Sequence, residues 1–199
     1  MRLDNQNDRT KVWLNDSEVK QLIEKAREKS DQHEIAISLM VRCGLRSHEV
    51  PQITPSNVRR TEEGDHHLLR VSAGKNTKGG EGKARDTWLP DEVESLIYRY
   101  SRDLQNRDPV VDKSKRTVQR WVKAIGEANE EDNPEWQHLS AHDLRRTWAT
   151  HTYYHLNASD TAKSVLMRWG GWDDEQTFET NYLGREPDGL ASELMQTAG

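Results

Sequence analysis

The sequence predicts a mostly α fold with a small antiparallel β-sheet, an α+β domain. Two observations lead to this prediction. In most of the chain, apolar residues recur three and four positions apart, as they do along one face of a helix. Between Asn57 and Pro90 the pattern changes to short apolar stretches joined by polar and glycine-rich turns, which is typical of strands linked by hairpins. The 199 residues are enough for one domain of ordinary size.

Two helices are predicted before the sheet. The segment NDSEVKQLIEKAREKS has one apolar face and an N-cap at Asp16 or Ser17. The segment HEIAISLMVRCG is apolar nearly all round, which predicts a buried helix that stops at Gly44. The short polar stretch LRSHEVPQI then interrupts the apolar pattern.

Three short strands are predicted next, in NVRR, HLLRVSA and RDTWLP. The turn GKNTKGGEGKA joins the second strand to the third and carries Lys75, Lys78 and Lys83. It lacks the GxxxxGK[ST] pattern of a nucleotide-binding loop and does not open a helix. We therefore interpret it as an exposed hairpin turn that could bring a lysine to a DNA phosphate.

Helices resume at Pro90, which suits a helix start. The predicted helical segments are PDEVESLIYRYSRDL, SKRTVQRWVKAIGEAN, HDLRRTWATH with its cap at Ser140, SDTAKSVLMRW, and a short helix around DEQTFETNY. A polar tail follows them.

Composition narrows the class of protein. No apolar run approaches the roughly 20 residues of a membrane span, and the first ten residues are too polar for a signal peptide. The single cysteine, Cys43, excludes an internal disulfide and a cysteine-based zinc cluster. We therefore expect a cytoplasmic protein. The net charge of -5 argues mildly against nucleic acid, yet basic residues cluster locally, as at Arg59–Arg60 and Arg145–Arg146.

A metal site is not expected. His151 and His155 are four residues apart on one predicted helix, a spacing that can bind a metal. The HExxH pattern is absent, and no cysteine or nearby carboxylate completes a ligand set, so two ordinary polar positions are the preferred interpretation.

Six residues along the chain have side chains suited to phosphate chemistry. None of them is informative alone, but the set in this order is: Arg46, Lys75, His142, Arg145, Trp172 and Tyr182. Arginine keeps its charge and can bind two oxygens at once, which suits a phosphodiester that gains negative charge during substitution. A phenol has a pKa of about 10, so a tyrosine nucleophile needs activation by a neighbouring base or by positive charge.

The motifs around these residues resemble those of the tyrosine recombinases, the integrase and Xer-like family. GLRSHEV resembles the family's first arginine motif, and LRVSAGKNTK resembles its β-hairpin with the lysine. HDLRRTWATH resembles the HxLR[HR]TxAT box, the most specific of these motifs. GGWDDEQTFETNY is similar to the stretch that carries the family's fifth basic or indole residue and then its tyrosine. The resemblance extends from about Trp13 to Gly184.

The resemblance implies the tyrosine recombinase catalytic-domain fold and DNA strand transfer through a covalent 3′-phosphotyrosine, without a metal ion, ATP or another cofactor. By this resemblance Tyr182 attacks the scissile phosphate, which Arg46 and Arg145 hold. Lys75 is the acid for the leaving 5′ hydroxyl, and His142 and Trp172 complete the pocket. The implied partner is double-stranded DNA with a specific attachment site, bound by a tetramer. The basic residues expected to contact DNA are Lys78, Arg116, Arg120 and Arg146.

Two site assignments have alternatives in the sequence. The interval from Trp172 to Tyr182 is one residue longer than is usual in the family, but Tyr153 and Tyr154 are poor substitutes because they share a helix with the HxxR pair. Lys78 competes with Lys75, which we favour because it follows Gly74 directly after the predicted strand.

We expect a polar N-terminal extension at 1–12, the catalytic domain at 13–184, and a C-terminal tail at 185–199. Leu190, Leu194 and Met195 have helical spacing, so the tail either docks on a neighbouring subunit or is a disordered end. Family members usually carry a helical domain before the catalytic one, so this chain is either an isolated catalytic domain or a small recombinase. The rival functions are a type IB topoisomerase-like or hairpin-forming resolvase enzyme, a non-catalytic DNA-binding relic, and a plain helical interaction module.

Overall fold

The structure, a computed structural model, describes residues 1–6, 9–62, 64–72 and 84–184. Within these ranges the predicted fold class is confirmed, since helices predominate and the sheets are small and antiparallel. No helix in this part of the chain is both long and apolar enough to cross a membrane. The elements are β1 (Arg2–Gln6), β2 (Arg9–Trp13), α1 (Asp16–Arg27), α2 (Asp31–Cys43), β3 (Val58–Arg60), β4 (His67–Val71), β5 (Arg85–Leu89), α3 (Asp91–Tyr100), α4 (Lys115–Glu127), α5 (Ala141–His155), α6 (Asp160–Gly170) and α7 (Glu175–Asn181).

Helix α2 is the centre of the domain, as its apolar composition predicts. Ile35, Leu39 and Met40 are completely buried, and the helix packs against α1, α3, α4 and α5. It ends at Gly44, whose φ of 70° is a left-handed conformation that favours glycine. The end of this helix is therefore fixed in the interior, directly before Arg46.

The three predicted strands form one antiparallel sheet in the order β3-β4-β5. Leu69 of β4 and Leu89 of β5 are fully buried, and β5 packs against α6 and α2. The turn between β4 and β5 contains Lys75 and Lys78, and these two predicted site residues lie outside the described residues.

An N-terminal hairpin of β1 and β2 was not predicted from the sequence. Its strands pair antiparallel, with Arg2 opposite Trp13. Helix α5 fixes β2, because the Val12 and Leu14 amides donate to the side chains of Asp143 and Thr147 at 3.1 and 3.0 Å. These partners are over 130 residues away, so a local pattern could not reveal them.

The N-cap of α1 corrects a second expectation. The helix is capped by Asn15, not by Asp16 or Ser17. Asn15 accepts from the Glu18 amide, and the Glu18 carboxylate accepts from the Asn15 amide, which is the reciprocal arrangement of a capping box.

Gly44 also has no room for a side chain. A Cβ atom built there would lie 2.1 Å from the Trp148 ring of α5. We expect Gly44→Ala to destabilise the domain by about 3 kcal/mol, since it adds an overpacked contact to the strain of a left-handed alanine. Gly64→Ala is the matched control, because Gly64 also has positive φ but its Cβ would come no closer to any atom than 3.2 Å, from His66. It should cost about 1 kcal/mol. Urea unfolding of both variants measures the difference, and equal losses would contradict the packing argument.

Candidate active site

Helix α5 presents His142 and Arg145 from its first turns. Ser140 and Asp143 cap the helix reciprocally, and Asp143 is completely buried. His142 and Arg145 are three residues apart and so lie on the same face. Leu144 and Trp148 point into the interior and anchor the helix by packing.

Arg145 is completely buried and connects two other helix ends. Its Nη1 donates to the Gly44 carbonyl after α2, and its Nη2 donates to the Gly170 carbonyl at the end of α6. The guanidinium carbon lies 4.1 Å from the centre of the Trp172 ring, a cation–π arrangement. Burial is the main cause that lowers the pKa of Arg145, and the charges of Arg46 and Arg85 lower it further. An anion bound next to Arg145 would therefore offset the cost of burying its charge and its repulsion by Arg46 and Arg85.

Arg46 lies beside Arg145 at the edge of an open cavity of about 170 Å³. Its Nη1 donates to Glu49 at 2.9 Å, and its Nη2 lies 3.4 Å from the Gly171 carbonyl. The cavity is lined by Arg46, Ser47, His48, Lys115, Gln119, Ala141, His142 and Arg145. Its lining is dominated by groups that can donate to an anion.

Trp172 and Tyr182 close the other side of the site. A Cβ at Gly170 would lie 2.0 Å from the Trp172 ring, so only glycine lets this ring fold back over the helix end. The Tyr182 ring centre lies 4.5 Å from that of Trp172 and 5.1 Å from that of His142. The Arg145 guanidinium carbon is 5.6 Å from the Tyr182 ring centre. The structure thus brings together five residues selected from the sequence: Arg46, His142, Arg145, Trp172 and Tyr182.

Two buried N–H groups in the site lack acceptors. Within the described residues, the Nε of Arg145 and the Nε1 of Trp172 have no hydrogen-bond partner. Buried donors are usually satisfied, because leaving one unpaired costs about 1–3 kcal/mol. Both donors lie where Arg145 stacks on Trp172, which favours binding of an oxygen-rich anion there.

Glu49 and Arg85 form a buried ion pair behind Arg46, which the sequence did not predict. The two Nη atoms of Arg85 donate to the two Glu49 oxygens at 2.7 and 2.8 Å. Glu49 also accepts from the Arg46 backbone amide at 2.7 Å. Burial acts to raise the pKa of Glu49, but the hydrogen bonds and charge of Arg85, together with the charges of Arg46 and Arg145, outweigh it and lower the pKa to about 2. The carboxylate therefore stays ionised and fixes Arg46.

His142 is neutral at pH 7. Its pKa is lowered to about 4, first by desolvation and then by the charges of Arg146, Arg145 and Arg46. The side chain lines the cavity and is exposed, and the nearby arginine charges disfavour its protonated form. A neutral imidazole can accept a proton or a hydrogen bond from a neighbouring group.

The predicted DNA contacts occupy different environments. Arg116 and Arg120 are exposed on α4, next to Lys115 and Gln119, which line the cavity and were not selected from the sequence. Their spacing could have indicated that they share a surface, because Lys115 and Gln119 are four residues apart on a predicted helix. Arg146 instead turns inward, where it pairs with Asp143 and donates from Nε to the Asn181 carbonyl at 2.9 Å.

The other candidate groups are engaged elsewhere. The Tyr153 hydroxyl donates to the Ala158 carbonyl at 3.1 Å, and the Tyr154 hydroxyl lies 3.4 Å from the Gly184 carbonyl. His151 contacts the Leu14 carbonyl at 2.8 Å through its Nε2. In the described ranges no group of three histidine, cysteine or acidic residues could hold a metal ion.

A family model and several solved structures of recombinases and integrases are similar to this chain. The phage integrase family model matches residues 12–187. The XerA recombinase, 21% identical, aligns with a TM-score of 0.69 over 94% of this chain and 65% of that chain. The Tn1549 transposon integrase in complex with transposon right end DNA, 16% identical, aligns at 0.67 over 98% and 68%. The catalytic domain of bacteriophage HP1 integrase, 17% identical, aligns at 0.58 over 93% and 94%.

These structural matches show a shared fold. The chain spans less than two thirds of the XerA structure and nearly all of the HP1 catalytic domain. No curated protein sequence matches the chain.

The Glu49 carboxylate should stabilise the fold in a pH-dependent way. Its pKa falls from an ordinary 4.5 to about 2, so its contribution is present above pH 4.5 and is lost as the pH falls towards 2. We expect Glu49→Gln to lower the free energy of unfolding by about 3 kcal/mol at pH 7 and by much less near pH 2. Glu28→Gln is the control, since Glu28 is 61% exposed. Denaturant unfolding across this pH range tests the prediction, and a difference that does not change with pH would contradict it.

His142 should report the charge of the site. Because the positive charge of Arg46 lowers the pKa of His142, Arg46→Gln should raise that pKa and increase protonation at any given acidic pH. NMR titration of the imidazole signals measures the change. Arg46 is not among the groups that perturb His151, whose pKa should stay constant in the same spectra. An unchanged pKa of His142 would contradict the prediction, because it would show that the charge of Arg46 does not act on this imidazole.

Proposed function

The chain belongs to the phage integrase family, and from this membership we propose that it is a site-specific DNA recombinase with Tyr182 as its nucleophile. The observation that carries the proposal is the convergence of His142, Arg145 and Trp172 around the Tyr182 ring, while Arg46 lines the same cavity as His142 and Arg145. It supports catalysis because phosphate-binding groups lie next to a candidate nucleophile.

The arginines would hold the scissile phosphate. Arg145 supplies its unpaired Nε, Trp172 supplies its Nε1, and Arg46 contributes a partly exposed guanidinium that Glu49 keeps in place. Fixed donors stabilise a developing charge without reorganisation at the moment of reaction. The buried positions of Arg145 and Trp172 favour such a rigid site.

In the proposed reaction, the Tyr182 oxygen attacks phosphorus and the bond to the 5′ oxygen of the next nucleotide breaks. The products are a 3′-phosphotyrosine and a free 5′ hydroxyl. We propose that neutral His142, whose ring centre lies 5.1 Å from that of Tyr182, accepts the phenolic proton. Lys75 is proposed to protonate the leaving oxygen, with Lys78 as the alternative. Religation reverses these steps, so the phosphodiester energy is conserved and no nucleotide or metal is needed.

The proposed partner is double-stranded DNA carrying an attachment site, bound by a tetramer of the protein. The chain's net charge of -5 opposes binding to a polyanion. We propose that DNA contacts concentrate at the cavity and on the adjacent face of α4, where Lys115, Arg116 and Arg120 lie. The 185–199 tail, which lies outside the described residues, is proposed to dock on a neighbouring subunit. The protein would act in the cytoplasm.

Tyr182→Phe should abolish covalent attachment to DNA, because only the attacking oxygen is removed. The assay incubates the protein with nicked duplexes of randomised sequence and detects adducts on a denaturing gel. Arg46→Gln should reduce adduct formation by at least about a hundredfold, since it removes a donor to the developing charge. Tyr153→Phe is the control and should keep full activity, because the hydroxyl that it removes donates to the Ala158 carbonyl and not to a residue of the site.

Two outcomes would change the proposal. An adduct that persists in Tyr182→Phe would move the nucleophile elsewhere, and a parent protein without any adduct would favour a DNA-binding relic. Sequences recovered from the adducts would then serve as substrates. If the protein joins two duplexes that carry these sequences, it is a recombinase. If it relaxes supercoiled DNA that carries them without joining duplexes, it is a topoisomerase.

A further inference from the structure

Helix α7, which leads directly to Tyr182, is too short to hold its own position. It has seven residues, from Glu175 to Asn181. The last carbonyls of any helix lack partners within the helix, and isolated helices of this length are unstable in water. The orientation of the tyrosine therefore depends on what binds the end of α7.

Side chains from β2 and α5 bind that end. Three consecutive carbonyls accept hydrogen bonds from outside the helix: Thr180 from Lys11 at 3.1 Å, Asn181 from Arg146 at 2.9 Å, and Tyr182 from both Trp13 and Thr150 at 3.1 Å. We call the four donors the helix-end clamp; they are Lys11, Trp13, Arg146 and Thr150. Two of them are cations, which suit the negative end of a helix dipole.

The clamp continues past the tyrosine. The Gly184 amide donates to the Thr150 hydroxyl at 2.8 Å. A Cβ at Gly184 would lie 2.9 Å from the Trp13 Nε1, so the chain passes in close contact with the indole. Tyr182 is thus fixed through its own carbonyl and through a residue two positions later.

Strand β2, which supplies Lys11 and Trp13, is itself held in place by α5. Val12 and Leu14 flank Trp13, and their amides are bonded to the α5 side chains Asp143 and Thr147. Lys11 is 8% exposed and Trp13 is 9% exposed, so both donors are largely shielded from water. A donor held at this depth favours one position of the acceptor.

We propose that the helix-end clamp holds Tyr182 at the pocket and that Trp13 is a positioning residue, which acts on the tyrosine through the hydrogen bond to its carbonyl. The chemical part of this inference depends on the proposed function, whereas the clamp itself does not. Through the bonds from Trp13 and Lys11, strand β2 takes part in placing the tyrosine.

The first experiment needs no DNA. Trp13→Phe removes the indole donor and keeps an aromatic ring; Thr150→Val removes both hydroxyl contacts and keeps the shape. Either change should speed hydrogen exchange of a peptide covering 178–184 by roughly three- to tenfold, the effect of losing one buried hydrogen bond. Trp88→Phe is the control, since Trp88 lies on β5 and stacks on Trp169. If exchange in both clamp variants matches this control, the clamp is refuted.

A second measurement separates positioning from binding. Trp13→Phe should lower the rate of adduct formation several-fold while leaving the affinity for duplex DNA unchanged. Equal loss of rate and affinity, or no loss of rate, would contradict a positioning role. If the parent protein forms no adduct, the proposed function fails, and the exchange experiment still decides whether the clamp exists.

Discussion

The site depends on one buried charge. Arg145 has no exposed surface, and its guanidinium bridges the carbonyls that end α2 and α6 while it stacks on Trp172. Burying a charge without complete pairing costs several kcal/mol, so packing elsewhere must support it. That support comes from the all-round burial of α2 and from glycines at 44 and 170, whose missing side chains let Trp148 and Trp172 approach. The same arrangement leaves the Nε of Arg145 buried and without an acceptor among the described residues.

The acidic residue in the site has a structural task. Glu49 lies between Arg46 and Arg85, and its low pKa keeps it charged throughout the physiological range. Arg85 also donates to the Trp169 carbonyl at 2.7 Å, so the ion pair connects the sheet to the end of α6. Three elements of the fold thus determine where the Arg46 guanidinium lies. This preorganisation explains how an acidic chain can hold a concentrated positive site.

Tyr182, the proposed nucleophile, is positioned by a different principle. Its ring packs among Trp172, His142 and Arg145, while its backbone is bound by donors from β2 and α5. Lys163 of α6 adds pairs with Glu175 and Glu179 along α7. The short helix gains from these contacts the order that its length cannot provide.

The sequence by itself determined the fold class, the strands of the central sheet, the buried helix α2, and five of the residues that meet at the site. These features depend on local periodicity and on motifs, which are visible in one dimension. Only the tertiary structure decided that β1 and β2 pair and that β2 packs on α5, that Glu49 pairs with Arg85, and that Arg146 turns towards α7. The Glu49–Arg85 pair spans 36 residues and the contact of Trp13 with Tyr182 spans 169, and no local pattern encodes which distant polar groups will meet once the core has closed.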